Sequence, residues 1–179
     1  MISDGARADG GNFEALLSRI QSPALLAVAQ QWHEARGQHR MPSWADIPPT
    51  VLSTHSKLIW GYDRDPKTGD FSVRIAGDRL RKWISPNPVG VRYQDAAPPS
   101  SFEEAHRYLT KIVTASLALR TSGRLFLVGD FAVSGERIIL PMAADAKTGD
   151  SVLGASDYAV PPLLGPVELV HENVEWYAI

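Results

Sequence analysis

The chain contains no cysteine. That absence excludes disulfides, thiolate metal sites, cysteine nucleophiles and any chromophore attached through sulfur. Charge of one sign is also lacking: 18 Lys+Arg stand against 20 Asp+Glu, a net charge of −2. Nucleic acid and anionic membranes therefore meet no bulk attraction, and neither is expected as a partner; whatever binds must be recognised locally. Long hydrophobic runs are missing too, the longest falling far below the roughly 20 residues needed to span a bilayer. Residues 1–11 carry aspartates and glycines in place of a basic and apolar signal, so a disordered start to a cytoplasmic protein is expected. What remains is an ordinary globular composition, 44% apolar and 21% charged over 179 residues, enough for one domain with an elaborated terminus.

Against that background one repeat stands out. Asp65-Pro-Lys-Thr-Gly-Asp70 and Asp145-Ala-Lys-Thr-Gly-Asp150 each lie between strand-like segments and each closes with a glycine suited to a tight reversal. They predict two hairpins, one early and one late, with helical sequence between. A single sheet would then be assembled from two distant parts of the chain.

Phe13, Leu16, Leu17 and Ile20 recur at helical spacing. Ser22-Pro23 restarts the pattern as a cap followed by proline, and Leu25, Val28, Ala29 and Trp32 continue it until Gly37. Residues 12–40 thus read as an N-terminal helical extension. Prolines 42, 48 and 49 forbid regular helix over Met41 to Pro49, which reads as an ordered connector or an extended strap, pinned by Trp44 and Ile47. Strands are predicted over 57–63 and 70–76, with Phe71, Val73 and Ile75 alternating against polar neighbours. A short helix with Leu80, Trp83 and Ile84 ends before Pro86, and residues 89–99 read as irregular. Ser101 and Glu104 carry a capping-box signature for an amphipathic helix through Ser116, with Gly123 as its stop. Three further strands follow, over 124–133, 136–144 and 151–158, the first two joined by Ser134-Gly135. Leu125 to Val128 and Ile138 to Leu140 are apolar at every position, which predicts cover on both faces. Pro141 would require a bulge if its strand is central. The tail over 160–179 is expected to run over the surface, with Val167, Leu169, Val170 and Trp176 available to dock or pair.

This order of elements resembles the PAS domain. The segments Met41 to Pro49, Ile75-Ala-Gly-Asp78, Pro88 to Asp95 and Ile139 to Asp145 are similar to those of small stand-alone PAS-like proteins common in alphaproteobacteria, the resemblance covering about Leu25 to Tyr158. It implies an α+β fold over 41–159: a five-stranded antiparallel sheet, helices on one face, the N-terminal helices on the other, and a small-molecule cavity. It also implies a sensory or regulatory role without catalysis, and favours a homodimer or a signalling protein partner. The cysteine-dependent photosensors of the fold are excluded.

The expected cavity wall, read from alternation and helical face, is Trp83, Tyr93, Tyr108, Ile112, Phe126 and Leu140, with Tyr108 as the leading candidate to offer a hydroxyl. Its ligand would be a small apolar or mixed-polarity molecule. Resemblance to haem-binding PAS sensors makes His106 a candidate axial ligand; a hydrogen-bonded or surface histidine is the commoner alternative. His33, His39, His55 and His171 are scattered and suggest no metal site. Arg36 and Arg40 have the spacing of a phosphate clamp, and Arg79, Arg81 and Lys82 form a second basic cluster; solvated charge is the plain alternative for both. Two other functional readings compete with the sensor. In one, the N-terminal helices and the Trp176 tail make a homodimer or dock on a signalling partner around a filled core. In the other, the elements form a cone-shaped α+β barrel enzyme with His106 and either Asp130 or Glu136 as acid and base.

Overall fold

The computed structural model describes residues 8–159 and 165–179, without the side chain of Trp83. Its core is a mixed sheet whose strands are β1 (Gly11–Asn12), β2 (Ile59–Arg64), β3 (Phe71–Ala76), β4 (Leu117–Val128), β5 (Phe131–Met142), β6 (Ser151–Tyr158), β7 (Val167–Leu169) and β8 (Asn173–Ala178). Their order is β1-β8-β4-β5-β6-β2-β3, with β7 alongside β8 on β4. The early and late hairpins do join: Ile59 pairs with Ala155 and Trp60 with Gly154. Every pairing is antiparallel except the short β1–β8 contact.

The helices are α1 (Phe13–Arg19), α2 (Pro23–Arg36), α3 (Pro49–Thr54), α4 (Asp78–Trp83), α5 (Tyr93–Ala96) and α6 (Phe102–Ala115), with a 3-10 turn at Pro99–Ser101. Asn12 and Ser22 cap α1 and α2 through their side chains, and Gly37 at φ 53° ends α2. Leu16, Leu25 and Trp32 pack with Ile138, Leu140, Leu153 and Ala155 on one face of the sheet. Leu109, Ile112 and Val113 of α6 pack with Leu119, Ile139 and Val152 on the other. The period of two along β5 therefore divides its apolar run between two cores, as a doubly covered strand requires. Trp44 crosses the strap to donate from Nε1 to Ser151 Oγ at 3.0 Å, and its ring occupies the space over Gly61.

Several expectations are corrected. The sheet has eight strands among the described residues, not five, because the tail does not run free: β8 pairs with β4 from Leu117–Ala178 to Ser122–Asn173, and Trp176 is buried. Covering the β4 edge removes a row of unpaired backbone groups. The chain is placed earlier than expected as well, since Gly10 donates to the Trp176 carbonyl and Asp9 accepts from the Trp176 amide; residues 1–7 of the expected disordered start lie outside the described residues. Residues 160–164 of the tail do likewise.

Helix α6 ends at Ser116, itself left-handed at φ 53°, and Gly123 lies inside β4. The reversal between β4 and β5 is Gly129-Asp130, with Val128 opposite Phe131, whereas Ser134 and Gly135 sit in the ladder opposite Arg124 and Gly123. In the second repeated turn the left-handed residue is Ala146, at φ 64°. Gly149 is needed for a different reason, because a Cβ there would lie 2.3 Å from the Val113 carbonyl of α6. No bulge accompanies Pro141: the β5–β6 register runs unbroken through Pro141–Val152. The proline lies past the last β4–β5 pair, Leu119–Ile139, where a missing N–H costs no ladder bond, and its carbonyl accepts from Trp32 Nε1 at 3.0 Å.

Candidate functional site

Between α6, the α4–α5 segment and the second face of the sheet lies a cavity of about 540 Å³. Its size falls within the range of small-molecule sites. Leu109 and Ala105 of α6, Ile139 of β5, Phe126 of β4 and Leu169 of β7 give it apolar walls. The floor is polar. Arg137 of β5 stands opposite Ser156 of β6 and donates from Nε to Ser156 Oγ at 3.0 Å. Trp60 of β2 donates from Nε1 to the same oxygen, also at 3.0 Å. Gly154 is what lets the indole lie there, since a Cβ would fall 2.3 Å from Trp60 Cε2.

Arg137 is 6% exposed, and no carboxylate among the described residues pairs with it. Burial pushes its pKa down, and the nearby hydroxyls of Tyr93, Tyr158 and Tyr62 oppose that. Burial likewise raises Tyr62 and pushes Tyr93 up to about 12, so both phenols are protonated at neutral pH. Their rings meet edge to face at 5.0 Å. Neither phenol has a hydrogen-bond partner among the described residues. At the rim, Arg79 donates to the Tyr158 carbonyl at 2.7 Å and lies 3.7 Å from Asp157. Lys57 and Lys82 complete four cationic side chains on the lining; no Asp or Glu lines it among the described residues.

The far wall is tied to α6 by a buried imidazole. His171 Nδ1 sits 3.1 Å from Glu104 Oε2, and its ring meets Tyr108 edge to face at 4.8 Å. Burial first, then the charge of Arg137, lowers the His171 pKa, against the opposing pull of Glu104. Ser101, expected to cap α6, instead exchanges hydrogen bonds with the Leu169 backbone: its hydroxyl accepts from the amide at 2.9 Å and donates to the carbonyl at 3.3 Å. Both contacts join the helix to the tail.

Of the six residues expected on the wall, Tyr93, Tyr108 and Phe126 line the cavity. Tyr108 contributes its ring; its hydroxyl is turned to Glu104 Oε1 at 3.4 Å. Ile112 is fully buried between α6 and the sheet, one turn away from the lining. Leu140 belongs to the opposite core with α2, because it alternates with Ile139 along β5. The side chain of Trp83 lies outside the described residues.

His106 is not part of the lining. It packs against Phe71 and Phe102 at ring distances of 5.5 and 5.4 Å, with Nε2 buried and unpartnered, so it does not suit a haem held in this cavity. Asp130 is at the exposed β4–β5 reversal, and Glu136 accepts from the amides of Gln21 and Ser22 and from Arg120 Nε, so neither pairs with His106. Arg36 lies over the rings of Phe13 and Trp32. Arg81 Nε donates to the Ala76 carbonyl, while Arg79 and Lys82 reach the cavity.

Sequence reasoning missed Arg137, Ser156 and Trp60. One signal was present: a glycine at 154 inside an otherwise apolar strand marks a close approach, here of an indole. Nothing in the spacing connects residue 60 to residue 156.

A search of curated proteins finds no match to the chain. A family model described as the PAS domain matches residues 20–156, which take in β2 to β5, most of β6, α2 to α6 and the cavity lining up to Ser156, while β1, β7 and β8 lie outside the match. With that match covering well over half of its length, the chain belongs to the PAS domain family.

Proposed function

We propose that this protein is a non-enzymatic sensory or regulatory module that binds a small molecule in the cavity beneath α6. The observation that carries the reading is the floor: a buried arginine, a serine and two unpartnered tyrosine hydroxyls at the base of an apolar chamber, in a chain of the PAS domain family. A core closed for stability alone would be expected to hold no buried guanidinium without a carboxylate partner.

Occupancy would be passed on through α6 and the tail. Leu109 and Tyr108 touch the cavity from the helix, Leu169 and His171 touch it from the tail, and Glu104 and Ser101 bind the two together. A ligand that moved α6 would act on β7 and β8 through those bonds, by preferring one arrangement over the other. A second copy or a signalling protein would read the change. Phe13 and Leu16 pack in the core and Trp176 against Tyr108, so these three side chains would not form the receiving surface themselves.

The test is native mass spectrometry of freshly purified protein, followed by melting curves against a metabolite library. A retained molecule, or a compound that raises the melting temperature through the linkage of binding to folding, is the expected result. A chain that carries nothing and melts at one temperature throughout would count against the ligand reading.

A further inference from the structure

The chemistry of the lining points to a class of ligand, an inference that rests on the cavity reading above. We infer that the cavity takes an amphipathic monocarboxylate, with its carboxylate against Arg137, Ser156 and the Tyr62 and Tyr93 hydroxyls, and its apolar body against Phe126, Leu109 and Ile139.

Three observations converge. Charge is the first: although the chain as a whole is slightly acidic, the cavity lining holds Lys57, Arg79, Lys82 and Arg137 and no carboxylate among the described residues. The second is donor geometry. Ser156 Oγ already accepts from Arg137 Nε and Trp60 Nε1, each at 3.0 Å, which fills both lone pairs and leaves its proton to be donated. The two terminal nitrogens of Arg137 make no hydrogen bond to a described residue, and the two phenols stay protonated, so the floor presents donors in excess. A planar carboxylate matches a guanidinium fork bidentately. The third is shape: one buried guanidinium surrounded by apolar walls suits one anionic group on an apolar body, and the other arginine of the lining, Arg79, already has the Tyr158 carbonyl and Asp157.

The experiment uses the full chain and the neutral dye Nile red. Decanoate is compared with decanol, and naphthoate with naphthol, by displacement of the dye and by melting temperature at neutral pH. The two pairs distinguish an acyl from an aromatic body. One acid is expected to bind at least about tenfold more tightly than its neutral counterpart, the size of one charged hydrogen-bonded contact. Arg137→Met should keep dye binding, lose that preference, and melt no lower than the parent. Should Arg137→Met fail to fold, Arg137→Lys, which retains charge without the fork, should reduce the preference, and Ser156→Ala should do so as well. Dye binding with acids and alcohols displacing it equally, or a preference that survives these substitutions, would overturn the carboxylate inference and leave the cavity reading standing. Absence of binding by the dye and by all four compounds would overturn both.

Discussion

Arg137 and Ser156 face each other across β5 and β6, and the guanidinium Nε donates to the serine hydroxyl at 3.0 Å. The pair is placed by register, and its surroundings decide its meaning. A buried guanidinium whose described partners are a neutral hydroxyl and the face of Phe126, 5.0 Å away, is costly to the folded protein, and it is oriented by Ser156, itself held by Trp60, rather than neutralised by a carboxylate. A site held in this way is ready for an anion before one arrives, which keeps the ordering cost of binding low.

Gly154 should prove intolerant of any side chain. Its Cβ would fall 2.3 Å from Trp60, displacing the indole from Ser156. Gly154→Ala is expected to lose about 2 kcal/mol in urea unfolding, the usual scale of overpacking, and to weaken dye binding. Unchanged values for both would mean that the indole does not set the floor.

Leu140 and Tyr93 should separate stability from binding. Leu140→Ala opens the core under α2, away from the cavity, and should cost roughly 2–5 kcal/mol while the folded fraction still binds Nile red as the parent does. Tyr93→Phe removes one unpartnered hydroxyl and should leave stability within about 1 kcal/mol of the parent while changing ligand preference. Calorimetry and dye titration on the same samples provide the check.

The Arg120–Glu136 pair holds the N-terminal helices on the sheet. Arg120 Nε donates to Glu136 at 2.6 Å and its Nη1 donates to Glu175 at 2.5 Å, while Glu136 also accepts from the amides of Gln21 and Ser22. Glu136→Gln leaves a buried guanidinium with one carboxylate and should cost about 3 kcal/mol in chemical denaturation, with Arg120→Met in the same chain restoring part of it.

Acid should destabilise the fold through His171, whose burial and neighbouring Arg137 outweigh the contact with Glu104. His171 has a lower pKa folded than unfolded, chiefly through burial, so the unfolded chain binds the extra proton first. Stability is therefore expected to fall as pH drops from about 6.5, the unfolded value, to below the folded one, with a slope of at most about 1.4 kcal/mol per pH unit for one proton. His171→Gln should flatten that part of the profile, read by thermal melts across pH. A parent and variant with parallel profiles would place the titration elsewhere.

Ser116 terminates α6 in a left-handed conformation that suits glycine better. Ser116→Gly should raise stability by about 1 kcal/mol, the order of the strain relieved, in equilibrium unfolding.

Local chemistry determined much of this protein from the chain alone. Ser22-Pro23 and Gly37 bound α2, alternation marked β3 from Phe71 to Val73, beyond which a register shift turns Ile75 to the opposite core, and the late hairpin strand over 151–158 was legible because turn residues and period-two patterning act within a few neighbours. Even there, competing local signals misled: helical spacing ran on past Ser116 into β4, and Gly129-Asp130 went unread beside Ser134-Gly135. The tertiary structure alone decided the binding floor. Which of two adjacent residues, Ile139 or Leu140, faces the cavity depends on register, and a one-residue slip would exchange them. Arg137, Ser156 and Trp60 meet only because strands from distant parts of the chain lie side by side, and no local pattern encodes a contact between residues 60, 137 and 156.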